Sequence, residues 1–89
     1  MNSFKEVLCI SNTVTRTYDG VPTKCRLGMV AVGRTYYYKT SDDESLNWQT
    51  WQYEKNGKTV YHIYAAKNTD AWLFNMHNEK EFREIFKEI

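Results

Sequence analysis

One proline, four glycines and two cysteines in 89 residues leave little for the architectures that depend on them. So few cysteines cannot build a disulfide scaffold, and so little proline and glycine excludes a collagen-like or low-complexity chain. Charge of one sign is scarce too. Twelve Lys and Arg against eleven Asp and Glu give a formal net charge of +1, short of the excess a dedicated duplex binder ordinarily carries. No window approaches the run of about 18 apolar residues that spans a bilayer. Met1-Asn2-Ser3-Phe4-Lys5-Glu6 has no basic segment followed by an apolar stretch, so neither membrane insertion nor a conventional secretion signal is expected. A chain this short suits one domain over residues 1–89, with one small core.

What the chain has in quantity is aromatic. Seven Tyr, four Phe and three Trp are too many for so small a core to bury, and large aromatic surface left near water is commonly a binding surface. The expectation is a recognition module, not an enzyme, with no cofactor.

Residues 4–11 predict a first strand with a buried, β-branched middle. Between Asn12 and Arg26, Asp19-Gly20-Val21-Pro22 marks a turn within a long hairpin-like loop or irregular arm. Residues 27–40 form the longest strand-like stretch, with Gly28 and Gly33 placed to allow a bulge or bend. Tyr36, Tyr37 and Tyr38 then alternate faces. Ser41-Asp42-Asp43-Glu44-Ser45 reads as a solvated connection that ends the strand. Asn56-Gly57 predicts a two-residue type I′ hairpin that pairs Lys55 with Lys58, Tyr53 with Val60 and Trp51 with His62. One face of that hairpin carries Trp51, Tyr53, Val60, His62 and Tyr64; the other carries Trp48, Thr50, Gln52, Tyr61 and Ile63. The pattern leaves open which face closes the core. Residues 72–76 fit a closing strand with Trp72, Phe74 and Met76 on one side, or a helical turn after Thr69-Asp70. Asn78 caps a helix over residues 78–89, Glu81 is placed to reciprocate the cap, and Phe82, Ile85, Phe86 and Ile89 form its apolar stripe. The fold class is mainly β with a C-terminal helix: an SH3-like small antiparallel barrel, or alternatively a compact α+β sheet.

The order of Val7-Leu8-Cys9-Ile10-Ser11-Asn12, an irregular arm, Leu27-Gly28-Met29-Val30-Ala31-Val32-Gly33-Arg34-Thr35-Tyr36, a hairpin and a short helix resembles the small SH3-like barrel proteins of bacteriophages and prophages. The resemblance spans about residues 5–74 and rests on positions that any curved small barrel needs. It implies a barrel fold, a bacteriophage setting, a cytoplasmic location inside a bacterial host cell, and a host-virus interaction in which the chain acts as an inhibitor of a host protein. The C-terminal helix and the Asp42-Asp43-Glu44 connection depart from that pattern, which keeps the α+β sheet open.

Cys9, Cys25, His62 and His77 are separated by 15, 36 and 14 intervening residues, which is not the close pairing of structural zinc ligands, and no metal is expected. Both thiols are expected to stay reduced, as in an intracellular chain; a bridge between them would close a loop around the Asp19-Gly20 turn. His62 beside Tyr61 and Tyr64 carries no nucleophile-base pattern, because adjacent strand residues point to opposite faces. Partner contact is assigned to Tyr37, Trp48, Trp51 and Tyr53 as aromatic anchors, with Arg34, Lys39 and the acidic run orienting a host or viral protein. Dimerisation through the aromatic sheet or an unpaired edge stays open. The alternative is a single-stranded nucleic acid stacked on Tyr36 or Tyr38, with Arg16, Lys24, Arg26 and Arg34 on its phosphates. Near-neutral charge and the acidic run favour protein.

Overall fold

The computed structural model describes residues 3–89. Alternation places Val7 and Cys9 of β1 (Lys5–Cys9) inward and leaves Glu6 wet, while Lys5, on the side of Val7, is exposed at the strand's start. Asp19 and Gly20 both take positive φ, 50° and 79°, the geometry of a type I′ turn. They join β2 (Thr13–Tyr18) and β3 (Val21–Arg26) into a regular two-stranded sheet, where an irregular arm or loop was one expectation. Residues 27–34 follow as a loop tied back to β1: Cys9 N–H donates to Arg34 C=O at 2.9 Å and Gly33 N–H to Cys9 C=O at 2.8 Å. The strand expected from residue 27 therefore begins only at Thr35.

Two thirteen-residue strands, β4 (Thr35–Asn47) and β5 (Gln52–Tyr64), form the centre of the molecule. The 3-10 turn Thr69–Ala71, capped by Asn68, leads into β6 (Trp72–Met76), so residues 72–76 take the strand and the helical turn falls just before them. Then come α1 (Glu79–Ile85) and β7 (Phe86–Glu88). The larger sheet runs β6-β5-β4-β1-β7, with antiparallel neighbours throughout.

One face of this sheet carries Val7, Cys9, Tyr36, Tyr38, Tyr61, Ile63, Met76 and Phe86. Phe82 and Ile85 of α1 and Val14 of the β2–β3 hairpin close over it. Phe82 is the centre of that contact: it stacks on Tyr61 at 4.0 Å between ring centroids and meets Tyr38 edge-on at 4.9 Å. Such ring pairs add to burial of the rings themselves.

The SH3-like barrel is not formed. The five strands make an open sheet whose edges, β6 and β7, lie at opposite ends and do not pair, and β2–β3 is a separate ribbon. The chain closes its core with a helix and a hairpin laid on one face, which removes the need for strand closure.

The helix is also shorter than its stripe. Asn78 Oδ1 accepts from Glu81 N–H at 3.2 Å, yet the Glu81 carboxylate does not return to the cap and instead receives both arms of Arg16, at 3.1 and 3.2 Å. From Phe86 the chain turns extended and pairs with β1, Cys9 opposite Phe86 and Val7 opposite Glu88. Free backbone groups on the β1 edge are satisfied by that pairing, which outweighs one more helical turn. Ile89, the last residue of the stripe, is left 75% exposed.

Phe82→Ala should destabilise the chain by about 3–5 kcal/mol in urea denaturation, the usual cost of emptying a buried phenylalanine site. Ile89→Ala should stay within about 0.5 kcal/mol, as surface substitutions do. Equal losses from the two would contradict the helix-to-strand switch at Phe86.

Candidate interaction surface

Asn56-Gly57 does not turn the chain. β4 and β5 pair from Tyr37↔Tyr64 to Asp42↔Thr59, shift register, and pair again from Glu44↔Lys55 to Asn47↔Gln52. The shift places residues 56–58 in a bulge opposite Asp43. There Gly57 takes φ 76°, Lys58 N–H donates to Asn56 Oδ1 at 3.1 Å, and Asn56 Nδ2 donates to Asp43 Oδ2 at 2.8 Å. The turn chemistry of Asn-Gly is real, but it is spent on a bulge. Likewise Ser41-Asp42-Asp43-Glu44-Ser45 is strand rather than connection.

The reversal comes at residues 48–51. Gln49 N–H donates to Asn47 Oδ1 at 2.9 Å, Trp51 N–H donates to Asn47 C=O at 2.8 Å, and Trp51 itself takes positive φ, 57°. A bulky residue in that region is strained. The turn sets Trp48 against Trp51, edge-on at 5.5 Å. Both indoles remain bare, 71% and 70% exposed, and Tyr53, paired with Leu46 just behind the turn, is 70% exposed. The surrounding arm is acidic: between residues 42 and 58, Asp42, Asp43, Glu44 and Glu54 face only Lys55 and Lys58. Asp42 holds Lys55 at 3.0 Å and raises the lysine's pKa by that hydrogen bond.

The other residues assigned to partner contact do not join this tip. Lys39 lies eight residues back from Asn47 along β4, about 26 Å at the usual strand rise. Its ammonium sits 4.2 Å from the Phe4 ring centre. Tyr37 is half-buried on the same outer face, with Lys67 over its ring at 5.6 Å. Arg34 is exposed and precedes β4. Those three belong to the opposite end of the sheet from the tryptophans.

Nor do the rings of the nucleic-acid alternative face a ligand. Tyr36 and Tyr38 are each 3% exposed; the Tyr36 hydroxyl accepts from Ala31 N–H at 2.8 Å and the Tyr38 hydroxyl donates to Glu88. Arg16 is neutralised by Glu81, whose hydrogen bond raises its already high pKa. Lys24 and Arg26 stand opposite Thr15 and Thr13 on the outer face of the β2–β3 hairpin, exposed and without an ion pair among the described residues.

Neither thiol is bridged. Cys9 is buried, which pushes its pKa up, and donates to Ser11 C=O at 3.2 Å; Cys25 is half-buried beside the Tyr18 hydroxyl at 3.7 Å. Three residues missed by sequence reasoning gather about His62: Ser41 and Asn75 meet its two ring nitrogens, and Trp72 Nε1–H donates to Asn75 Oδ1. With His62 they span three strands, and only the register of β4, β5 and β6 brings them together.

No family model, curated protein or solved structure matches this chain. The bacteriophage, host-virus and inhibitor expectations rested on the barrel resemblance. With the sheet open and no relative matched, they are withdrawn. Among the described residues no helix is long and apolar enough to cross a membrane.

Burial, and after it the hydrogen bond to Glu88, pushes the Tyr38 phenol up to about 12; burial raises Tyr61 as well. Each phenol is harder to ionise folded than unfolded, so its contribution is complete below the unfolded value and lost as pH rises through the folded one. Chemical denaturation between pH 10 and 12 should show a loss of about 2–3 kcal/mol from Tyr38, and Tyr38→Phe should flatten that part of the decline. An equally steep decline in the variant would contradict the burial of this phenol.

Proposed function

We propose that this chain is a protein-recognition module that docks through the tip of the β4–β5 arm. The observation that carries the reading is the pair of bare indoles, Trp48 and Trp51, held on a turn that strains Trp51. Tryptophan and tyrosine are the residues most enriched among those that dominate protein–protein affinity. A strained backbone and two large exposed rings are unfavourable for the free chain, and a partner cavity that desolvates them offsets both. The acidic flank suits a partner surface with cations around an apolar pocket, and it opposes a polyanion. Two free thiols fit a reducing compartment such as the cytoplasm.

A second reading, single-stranded nucleic acid, keeps one specific observation: Lys24 and Arg26 form an exposed cationic edge with Thr13 and Thr15. With Tyr36 and Tyr38 buried it loses its stacking rings, so it becomes a phosphate-contact reading. That version predicts strongly salt-dependent, sequence-independent binding.

One experiment separates the two. The immobilised chain is used to capture proteins from lysate, in parallel with anisotropy titrations of single-stranded DNA and RNA at low and moderate salt. Trp48→Ala with Trp51→Ala should leave the fold intact and weaken the captured protein at least about 30-fold, the equivalent of about 2 kcal/mol for a residue that dominates an interface. Lys24→Gln with Arg26→Gln should leave that capture unchanged. Oligonucleotide binding tighter than about 100 μM at low salt, lost in the Lys24/Arg26 variant and retained in the tryptophan variant, would overturn the protein reading in favour of the second.

A further inference from the structure

On the outer face of the sheet, the register aligns Lys39, His62 and Asn75 across β4, β5 and β6, with Ser41 two residues along from Lys39 on the same face. Ser41 Oγ lies 2.7 Å from His62 Nε2, and His62 Nδ1 lies 2.8 Å from Asn75 Oδ1. Trp72 Nε1 donates to that same oxygen at 2.8 Å.

The proton positions follow from the indole. A tryptophan Nε1–H can only donate, so the Asn75 atom it meets is the carbonyl oxygen and not the amide nitrogen. His62 Nδ1 faces the same acceptor and must carry a proton. In the neutral ring Nε2 is then a bare lone pair, and the Ser41 hydroxyl donates to it. The result is a hydroxyl on a base whose tautomer is set by a third group, itself held by a fourth. That is the arrangement by which serine nucleophiles are activated. Both ring nitrogens are engaged, which leaves the ring unsuited to a metal. Ser41 is exposed, His62 half-buried and Asn75 exposed, so a reagent in solution reaches the hydroxyl directly. Phe4 and Tyr64, edge-on at 5.0 Å, add an apolar flank on this face, and Lys39 lies over Phe4.

We propose that Ser41 is a nucleophilic serine, with His62 as its general base and Asn75 and Trp72 as positioning residues, and that it takes acyl groups from small esters with acidic leaving groups. The recess at Ser41 is lined by the polar residues Thr40, Asp42 and Thr59 and gives a large substrate little apolar grip, which limits the donor to one already activated. In the acylation step an Oγ lone pair forms a bond to the ester carbonyl carbon while the Oγ proton passes to Nε2. The bond from that carbon to the leaving oxygen breaks, its electron pair stays with the oxygen, and Nε2 returns the proton to give the free alcohol or phenol. The acyl group is left on Ser41. Water then attacks the acyl carbon with the same ring taking and returning one proton, which releases the acid and restores the serine. The transient imidazolium is stabilised through Nδ1–H by Asn75 Oδ1. The site is independent of the recognition role of the arm.

The test is exposure of the full chain to p-nitrophenyl acetate, with stopped reactions mapped by peptide mass spectrometry and folding monitored by circular dichroism. The acetyl group is expected on Ser41 ahead of every other hydroxyl, and absent from that peptide in Ser41→Ala. His62→Gln should slow it by about 100-fold or more, the usual contribution of a general base. Trp72→Phe should slow it less. Asn75→Asp should speed it, because a carboxylate supports the imidazolium better than an amide and still accepts from Trp72. A purely structural network would give no gain from Asn75→Asp. Acylation of Ser41 no faster than that of other exposed hydroxyls overturns the proposal. So does a rate at Ser41 unmoved by both Trp72→Phe and Asn75→Asp, which decides the matter even if His62→Gln fails to fold.

Discussion

The pairing of β4 with β5 is the constraint on which the rest of the structure depends. Tyr38↔Ile63 and Thr40↔Tyr61 put Tyr61 and Ile63 on the face that already carries Tyr36 and Tyr38. Because strand side chains alternate, a slip by one residue would send the whole set to water and bring His62 and Tyr64 inward. The same register produces the two features of functional interest. It carries the strands out past the core until they reverse at residues 48–51, which leaves the tryptophans at the end of an arm. It also lays Ser41, His62 and Asn75 side by side on the outer face.

This explains which parts of the fold could be read from the chain. Asp19-Gly20 turns where expected, because nothing else competes for residues 13–26 and the hairpin is local. Residues 72–76 and the Asn78 cap are similarly local. Asn56-Gly57 carries an equally strong turn signal and fails. A hairpin there would be made of residues 48–65 alone and would leave β4 without its long partner, whereas a bulge retains the turn geometry and the ten pairs to β4. Long-range burial outweighed a local preference. At the C-terminus, too, a helical stripe was partly overruled: Phe86 stays buried, but as a strand residue on the β1 edge.

The aromatic excess divides between the two environments. Tyr36, Tyr38, Tyr61, Phe82 and Phe86 make the core, their rings in mutual contact. Tyr64 and Phe4 cover part of the outer face, and Trp48, Trp51 and Tyr53 cover nothing. Composition alone announced a surplus of rings but could not assign them, since both faces predicted for residues 48–64 carry aromatic side chains. Of the residues singled out for contact, the two tryptophans and Tyr53 lie together, while Tyr37, Arg34 and Lys39 lie at the far end of the sheet. The cross-strand set around His62 had no local signal at all: its members are spread over residues 41–75, and only three-strand pairing relates them.

The β4–β5 register can be read directly from cross-strand proton contacts in a nuclear Overhauser spectrum of the folded chain. The structure predicts contacts between the backbone protons of Leu46 and Tyr53, Ser45 and Glu54, and Lys39 and His62. It predicts none between Trp51 and His62. Contacts joining Lys55 to Lys58, Tyr53 to Val60 and Trp51 to His62 would instead mean a two-residue hairpin at Asn56-Gly57, and would contradict both the projecting tryptophan tip and the alignment of Ser41 with His62.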